Sequence, residues 1–409
     1  METTVGDPVV EDPTESIDPE DFMLGNIESD DRTWWGRNSE IFSLRSAGAI
    51  YALLLMVAFF TIRTAQLGRP FYLGSGNVAN LLDQASIIGM MAIGMTVLLI
   101  SGNFDLSVAS NAAMSSMIAA LLVEPLGMVA AILLGILVGT IGGLINGLIH
   151  WYVGMNSFIV TLGTLTAYRG VALWVNDGRE KVLVAEDRET LRAWAGGHIP
   201  EFNLFLGFGI ALLLVLAFFV TSKRKSLAAL TAVISAVMFG LGFTIDYQLR
   251  LAHVAVYTLV LLMIVWFVLT YTVTGRRLYA TGGNIEAARA AGIVVSRYTI
   301  VPFVLVGFCA GLAGVINLAR VGSVPPELFN TRELDVIASA IIGGVALTGG
   351  TGNVLKTMIG ALLLFVMRNG LTIIGLSALL TEIAIGVLVI MSASAYVIAS
   401  RRAAAAGKV

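Results

Sequence analysis

Residues able to do chemistry on a nucleotide or solute are few in this chain and far apart. Gly349–Thr357, GGTGNVLKT, comes nearest to a phosphate loop. Leu355 stands where glycine is needed for backbone amides to wrap a phosphate, so the segment reads as a tight connection between two helices. His150, His198 and His253 lack metal-ligand spacing, and no nucleophilic triad pattern is present, so neither a metal nor catalytic residues are expected. The single Cys309 reads as a small buried apolar residue. What stands out instead is the polar segment Gly275–Gly292, GRRLYATGGNIEAARAAG, held between two long apolar stretches. It is too short to be a domain, and it reads as a docking surface for a motor that the chain itself lacks.

The elements positioning that segment follow from composition. Of the 409 residues 57% are hydrophobic and 13% charged, against about a quarter charged in soluble domains. Apolar windows near the bilayer-spanning length recur at 47–66, 78–100, 105–123, 126–149, 156–175, 203–221, 226–245, 253–273, 298–319, 335–349, 354–375 and 377–399. Lipid offers no partner for exposed backbone amides, and these runs are too long for barrel strands. The fold class is therefore an all-α polytopic membrane protein of about twelve, and at least about ten, transmembrane helices.

The first 31 residues hold eleven of the 27 acids and no Lys or Arg. Residues 1–45 are read as a disordered acidic tail and lead-in, 46–400 as the transmembrane domain and 401–409 as a C-terminal tail. No basic start with an apolar core precedes Trp34, so the N-terminus is expected to stay cytosolic. Three basic groups then fall on the cytosolic side: Lys223 to Lys225; Arg276, Arg277, Arg289 and Arg297 around the polar segment; and Arg401 with Arg402. Both termini are thus placed in the cytoplasm. The loop 176–202 is placed outside, with Trp174 and Trp194 at the interface. Basic residues without interleaved aromatics on a soluble face make nucleic acid no partner.

Gly135, Gly139, Gly143 and Gly147 repeat every four residues, lining one side of a helix for close approach by another. Gly307, Gly311 and Gly314 read the same way, and the fifteen Met read as adaptable core fillers. Asn103–Ser110, NFDLSVAS, echoes Glu333–Ser339, ELDVIAS, with Asp105 on the inner side and Asp335 on the outer. Such an echo fits an inverted repeat about an axis in the membrane plane, with windows two to five matching nine to twelve. Asp105, Asp335 and Thr331 are read as helix-start caps, with substrate contact by the aspartates the alternative.

These stretches together resemble the permease subunit of bacterial ABC importers for monosaccharides, the xylose, ribose and galactose group. Gly275–Ile293 resembles that family's cytoplasmic coupling region and Gly102–Ser110 its glycine-x-aspartate-leucine-serine signature. Ser157–Gly170, Glu333–Gly352 and RNGL at Arg368–Leu371 match in order. The hairpin near 226–273 is similar to the longer xylose-type members, while Asn103 with Phe104, and Arg368, depart from the pattern.

The resemblance implies a multi-pass permease of the plasma (inner) membrane bilayer, with partners in a second permease copy, an ABC ATPase subunit and an extracytoplasmic sugar-binding protein. It implies no cofactor in this chain, ATP and magnesium being bound by the ATPase. Gly282, Gly283, Asn284, Glu286, Ala287, Ala288 and Gly292 are the expected ATPase-coupling residues. EAARAA at Glu286–Ala291 favours a short helix, with Thr281–Asn284 as the turn, Asn284 as N-cap and Glu286 near the positive end. An interfacial linker is the alternative. A neutral sugar needs hydrogen-bonding groups and aromatic faces, so Gln84, Phe104, Asn111, Asn146, Asn317 and Asn369 are the candidate pathway residues, with interhelical bonding the alternative for the amides. Asp83, Arg368 and Glu382 are ionisable at membrane depth and are placed near exterior helix ends. Rival readings are a permease for branched-chain amino acids or nucleosides, an ion-coupled carrier, and a membrane scaffold or receptor.

Overall fold

The computed structural model describes residues 44–200, 202–203, 207, 209, 225–244 and 247–405. The acidic tail, most of the window 203–221, and Lys223 with Arg224 lie outside those residues. The chain divides into Met1–Gly48, of which only the start of the first helix is described, and Ala49–Val409, which holds everything discussed below.

Fourteen α-helices are described: α1 Leu44–Gln66, α2 Ser75–Ile100, α3 Val108–Leu126, α4 Met128–Leu148, α5 Ser157–Trp174, α6 Ala185–Leu191, α7 Lys225–Thr244, α8 His253–Tyr271, α9 Val273–Gly283, α10 Ile285–Ala290, α11 Val295–Val321, α12 Arg332–Ile342, α13 Val354–Ile373 and α14 Ala378–Ala405. Among the described residues, seven are long and apolar enough to cross a bilayer: α1, α2, α3, α4 with its π-helical continuation to Val153, α8, α11 and α13. The protein is an all-α polytopic membrane protein. The tenth window, 335–349, differs from expectation, because α12 has only 11 residues, about 17 Å of rise against a hydrocarbon core of about 30 Å. Gly343 and Gly344, the latter at φ +82°, take the chain out of the helix.

Helix α2 is the central post. Burial takes in 89% of its apolar window but only 11% of that of α1, so α2 faces protein all round and α1 faces lipid. The hydroxyls of Thr96 and Thr357 tie α2 to α13 at 2.7 Å, both buried.

Helix α11 lies against α4 along the glycine seam. A Cβ on Gly139 would stand 2.6 Å from Gly311 Cα, one on Gly143 2.2 Å from Phe303 O, and one on Gly307 2.4 Å from Gly139 O. Gly147 faces Phe303 and Ile300, while Gly135 and Gly314 bring α3 into the same contact, through Ala119 and Ala112. Backbones meet here without intervening side chains, so dispersion contact is made at its shortest range.

At one end of the bundle the connecting segments form two short antiparallel pairs, β1 Lys181–Val182 with β4 Ser323–Val324 and β2 Phe202–Asn203 with β3 Gln248–Leu249. The loop 176–202 is therefore folded, carrying β1 and α6 and bridging His198 to Ala252. Trp194 stacks tilted on Tyr257, with centroids 5.9 Å apart, and Trp174 is exposed. The opposite end carries α9, α10 and the turns after α2 and α12.

Candidate functional site

The polar segment folds as two helices. Thr272 accepts the Gly275 amide at 3.3 Å and starts α9, and α9 runs through Thr281 to Gly283. The turn expected over Thr281–Asn284 is thus reduced to Asn284, in extended backbone at φ −157°. Thr281 bonds back to the Arg277 carbonyl at 2.8 Å, which keeps it helical. Asn284 caps α10 by accepting the Ala287 amide at 2.9 Å. Glu286 in the first turn and Arg289 in the last both oppose the helix dipole favourably, and Gly292 at φ +76° ends the unit. Ala288 is buried, while Glu286, Ala287 and Arg289 are exposed.

The two glycines of α9 differ sharply. A Cβ on Gly282 would fall 1.8 Å from Ile100 O and 2.8 Å from Gly350 N, whereas one on Gly283 meets nothing closer than Gly350 Cα at 3.9 Å. Gly350, at φ +74°, donates its amide to Ile100 O at 2.9 Å. Gly349, at φ +85°, brings its Cβ position to 2.7 Å from Gly282 O and 2.8 Å from Gly102 Cα. Backbone from α9, the end of α2 and the loop before α13 therefore interlock, with no side chain able to yield. Tyr279 fastens the same joint by donating to Gly352 O at 2.8 Å. Burial pushes its phenol up from its ordinary value, so it stays a donor at neutral pH. Because these amides are used internally, and Asn353 caps α13 through Leu355 N at 2.8 Å, the segment at 349–357 is a tight helix connection. The joint was missed in the sequence, where the paired glycines at 282–283 and 349–350 stand out but nothing links one pair to the other.

The pathway candidates are not gathered in one place. Asn146 donates to Asp105 Oδ2 at 3.2 Å and to Ser107 Oγ at 2.9 Å, and accepts from Tyr168 at 3.3 Å, all buried. Asn111 donates to Gly139 O at 2.9 Å, and its buried Oδ1 has no partner among the described residues, nor have the hydroxyls of Ser115 and Ser116. Asn369 exchanges bonds with Asn77 at 2.9 and 3.1 Å, and Gln84 donates to Asn80 at 3.1 Å. Asn317 is buried on α11, and Phe104 packs tilted on Phe158 at 6.0 Å.

The aspartates depart from simple capping. Asp105 accepts the Ser107 amide and hydroxyl at 2.7 and 2.6 Å, an Asx-type turn ahead of α3, and also ties α3 to α4 through Asn146. Asp335 caps nothing: it pairs with Arg332 at 2.7 Å and Arg368 at 3.2 Å, and Arg368 reaches on to Glu382. Thr331, at φ +62°, precedes α12 without a side-chain cap bond. Arg368 and Glu382 are therefore linked across α13 and α14, and Asp83 lies 3.6 Å from Arg320. The i,i+3 spacing of Arg332 and Asp335 was the one readable signal for this network.

Residues 77–393 match the family described as "Branched-chain amino acid transport system / permease component". The chain belongs to this permease family. The permease is 32% identical over 350 residues to the ribose import permease protein RbsC of Bacillus subtilis, covering 85% of this chain and 92% of that protein. It is also 32% identical over 350 residues to the xylose transport system permease protein XylH of Escherichia coli K12, at 79% and 84% coverage. The probable ABC transporter permease protein YphD of Escherichia coli K12 is 32% identical over 354 residues, at 86% and 91%. No solved structure matches the permease.

Proposed function

We propose that the permease is the membrane-spanning subunit of an ATP-driven importer for a monosaccharide, a xylose-like pentose or a related sugar. The observation that carries this is near end-to-end similarity to both a ribose and a xylose permease. The chain works as a homodimer in the plasma (inner) membrane, with an ABC ATPase below it and an extracytoplasmic sugar-binding protein above. The ATPase binds ATP and magnesium, and this chain holds no cofactor of its own. About twelve spans with cytoplasmic termini complete the reading. An inverted repeat agrees with Asp105 lying near the α9 end of the bundle and Asp335 near the other.

In this reading α10 is the coupling helix. Its exposed Glu286, Ala287 and Arg289 meet the ATPase, and α9 passes the displacement to α2 through Gly282. Because α2 is buried along most of its length, a push on its end moves packed neighbours as rigid bodies, as alternating access requires. Gln84, Phe104, Asn111, Asn146, Asn317 and Asn369 remain the proposed positions along the pathway, and Asn111, Asn146 and Asn369 also tie separate elements together.

The test is uptake of labelled ribose and xylose into proteoliposomes holding the permease, its ATPase and its binding protein. ATP-dependent accumulation of one sugar is the expected result. Uptake that survives ATP depletion but collapses with an ion gradient, or that serves leucine and not sugars, overturns the proposal.

A further inference from the structure

A cavity of about 300 Å³ opens between α8, α9 and α11, against α2. Its wall is apolar, made by Val97, Ile264, Val265, Val268, Leu269 and Leu305 among others. Ile264 and Val301 on this wall are more than half exposed, so the cavity is open at the side where a membrane protein meets hydrocarbon. A sugar has no reason to enter it, since hydroxyl groups would lose water without gaining partners.

One end of the same wall is cationic. Arg297 lines the cavity and is exposed, and exposed Arg276 and Arg277 follow directly on Gly275, another lining residue. Among the described residues these three arginines make no ion pair, whereas Arg320, Arg332 and Arg368 all do. Arg297 also sits in the first turn of α11, which begins at Val295 with no side-chain cap bond, so the positive end of the helix dipole adds to its charge. An occupant must therefore combine a long apolar part with a negative head.

We propose that this cavity is a binding site for an anionic phospholipid, one acyl chain lying between α8 and α11 and the phosphate resting on Arg297. The charge pattern selects this occupant over a second copy of the chain, which would bring the same unpaired arginines against themselves. The lipid would also brace α9, whose Thr274, Gly275 and Leu278 line the wall.

The test uses the full-length permease in detergent, with photoactivatable phosphatidylglycerol carrying a diazirine in its acyl chain, and the matching phosphatidylcholine. Phosphatidylglycerol should label peptides containing residues 264–269 and 301–305, with phosphatidylcholine about fivefold weaker. Arg297→Gln should cut the phosphatidylglycerol signal about fivefold, the worth of one basic residue at an anionic surface. Val268→Trp, which fills the cavity, should remove labelling with either lipid. Should Val268→Trp fail to fold, the comparison of lipids and Arg297→Gln still decides the matter. Equal labelling by the two lipids, labelling elsewhere only, an Arg297→Gln signal equal to wild type, or protection of these peptides by a second copy in the dimer would each overturn the proposal.

Discussion

Gly282→Ala and Gly283→Ala are the same chemical change at adjacent residues of one helix, yet they should part widely. At Gly282 the new methyl would lie 1.8 Å from the Ile100 carbonyl oxygen and 2.8 Å from the Gly350 nitrogen. Both are backbone atoms, and Ile100 is fully buried, so α9 or the end of α2 must move. Overpacking costs about 1–3 kcal/mol, and more where backbone is displaced. At Gly283 the nearest atom is 3.9 Å away, and alanine in a helix gains about 0.5–1 kcal/mol over glycine. The two variants should thus differ by at least ~1.5 kcal/mol, about tenfold in an equilibrium constant. Thermal unfolding of the purified permease reads the stability gap. Uptake measured against ATP hydrolysis in proteoliposomes reads the coupling. Gly283→Ala should behave as wild type, while Gly282→Ala should unfold earlier and hydrolyse ATP with little uptake. Equal unfolding temperatures, or normal uptake by Gly282→Ala, would refute the idea that α9 drives α2 through backbone contact.

Gly143→Ala places a methyl 2.2 Å from Phe303 O, whereas Gly163→Ala enters open space; only the first should lower the unfolding temperature, by an amount matching roughly 1–3 kcal/mol or more. Arg368→Gln leaves Asp335 with Arg332 alone and frees the exposed Glu382, so a loss of about 1–3 kcal/mol is expected in the same melt. Glu382→Gln should retain sugar uptake, because a neutral solute needs no proton relay; complete loss would favour an ion-coupled carrier. Removing residues 1–31 should leave uptake nearly unaltered, and a dead truncation would assign the acidic tail a function.

Most of the helical architecture was legible because lipid enforces a simple rule. Windows such as 78–100, 253–273 and 354–375 reappear as α2, α8 and α13 to within a few residues. The Asn284 cap was legible too, since it depends only on a side chain and an amide three residues later. Long-range meetings were not. Nothing local in Gly102, Gly282 and Gly349 says that they share one joint, since what brings them together is the packing of three separate elements. The eleven-residue α12 escaped for a related reason: hydropathy continues past Ile342, and only the left-handed glycine at 344 stops the helix. Asp335 looked like a cap because its second arginine partner, Arg368, lies 33 residues away.

The shortness of α12 bears on how this protein is built in the cell. An eleven-residue helix with Arg332, Glu333 and Asp335 in its first turn is too short and too polar to cross the bilayer by itself. Helix α13 is apolar and long enough to enter by itself, but it carries Arg368. Arg368 finds its partner in Asp335 of α12, which is also paired with Arg332. Entering the bilayer together as a hairpin would let Arg368 meet Asp335 instead of lipid, which a separate α13 could not do.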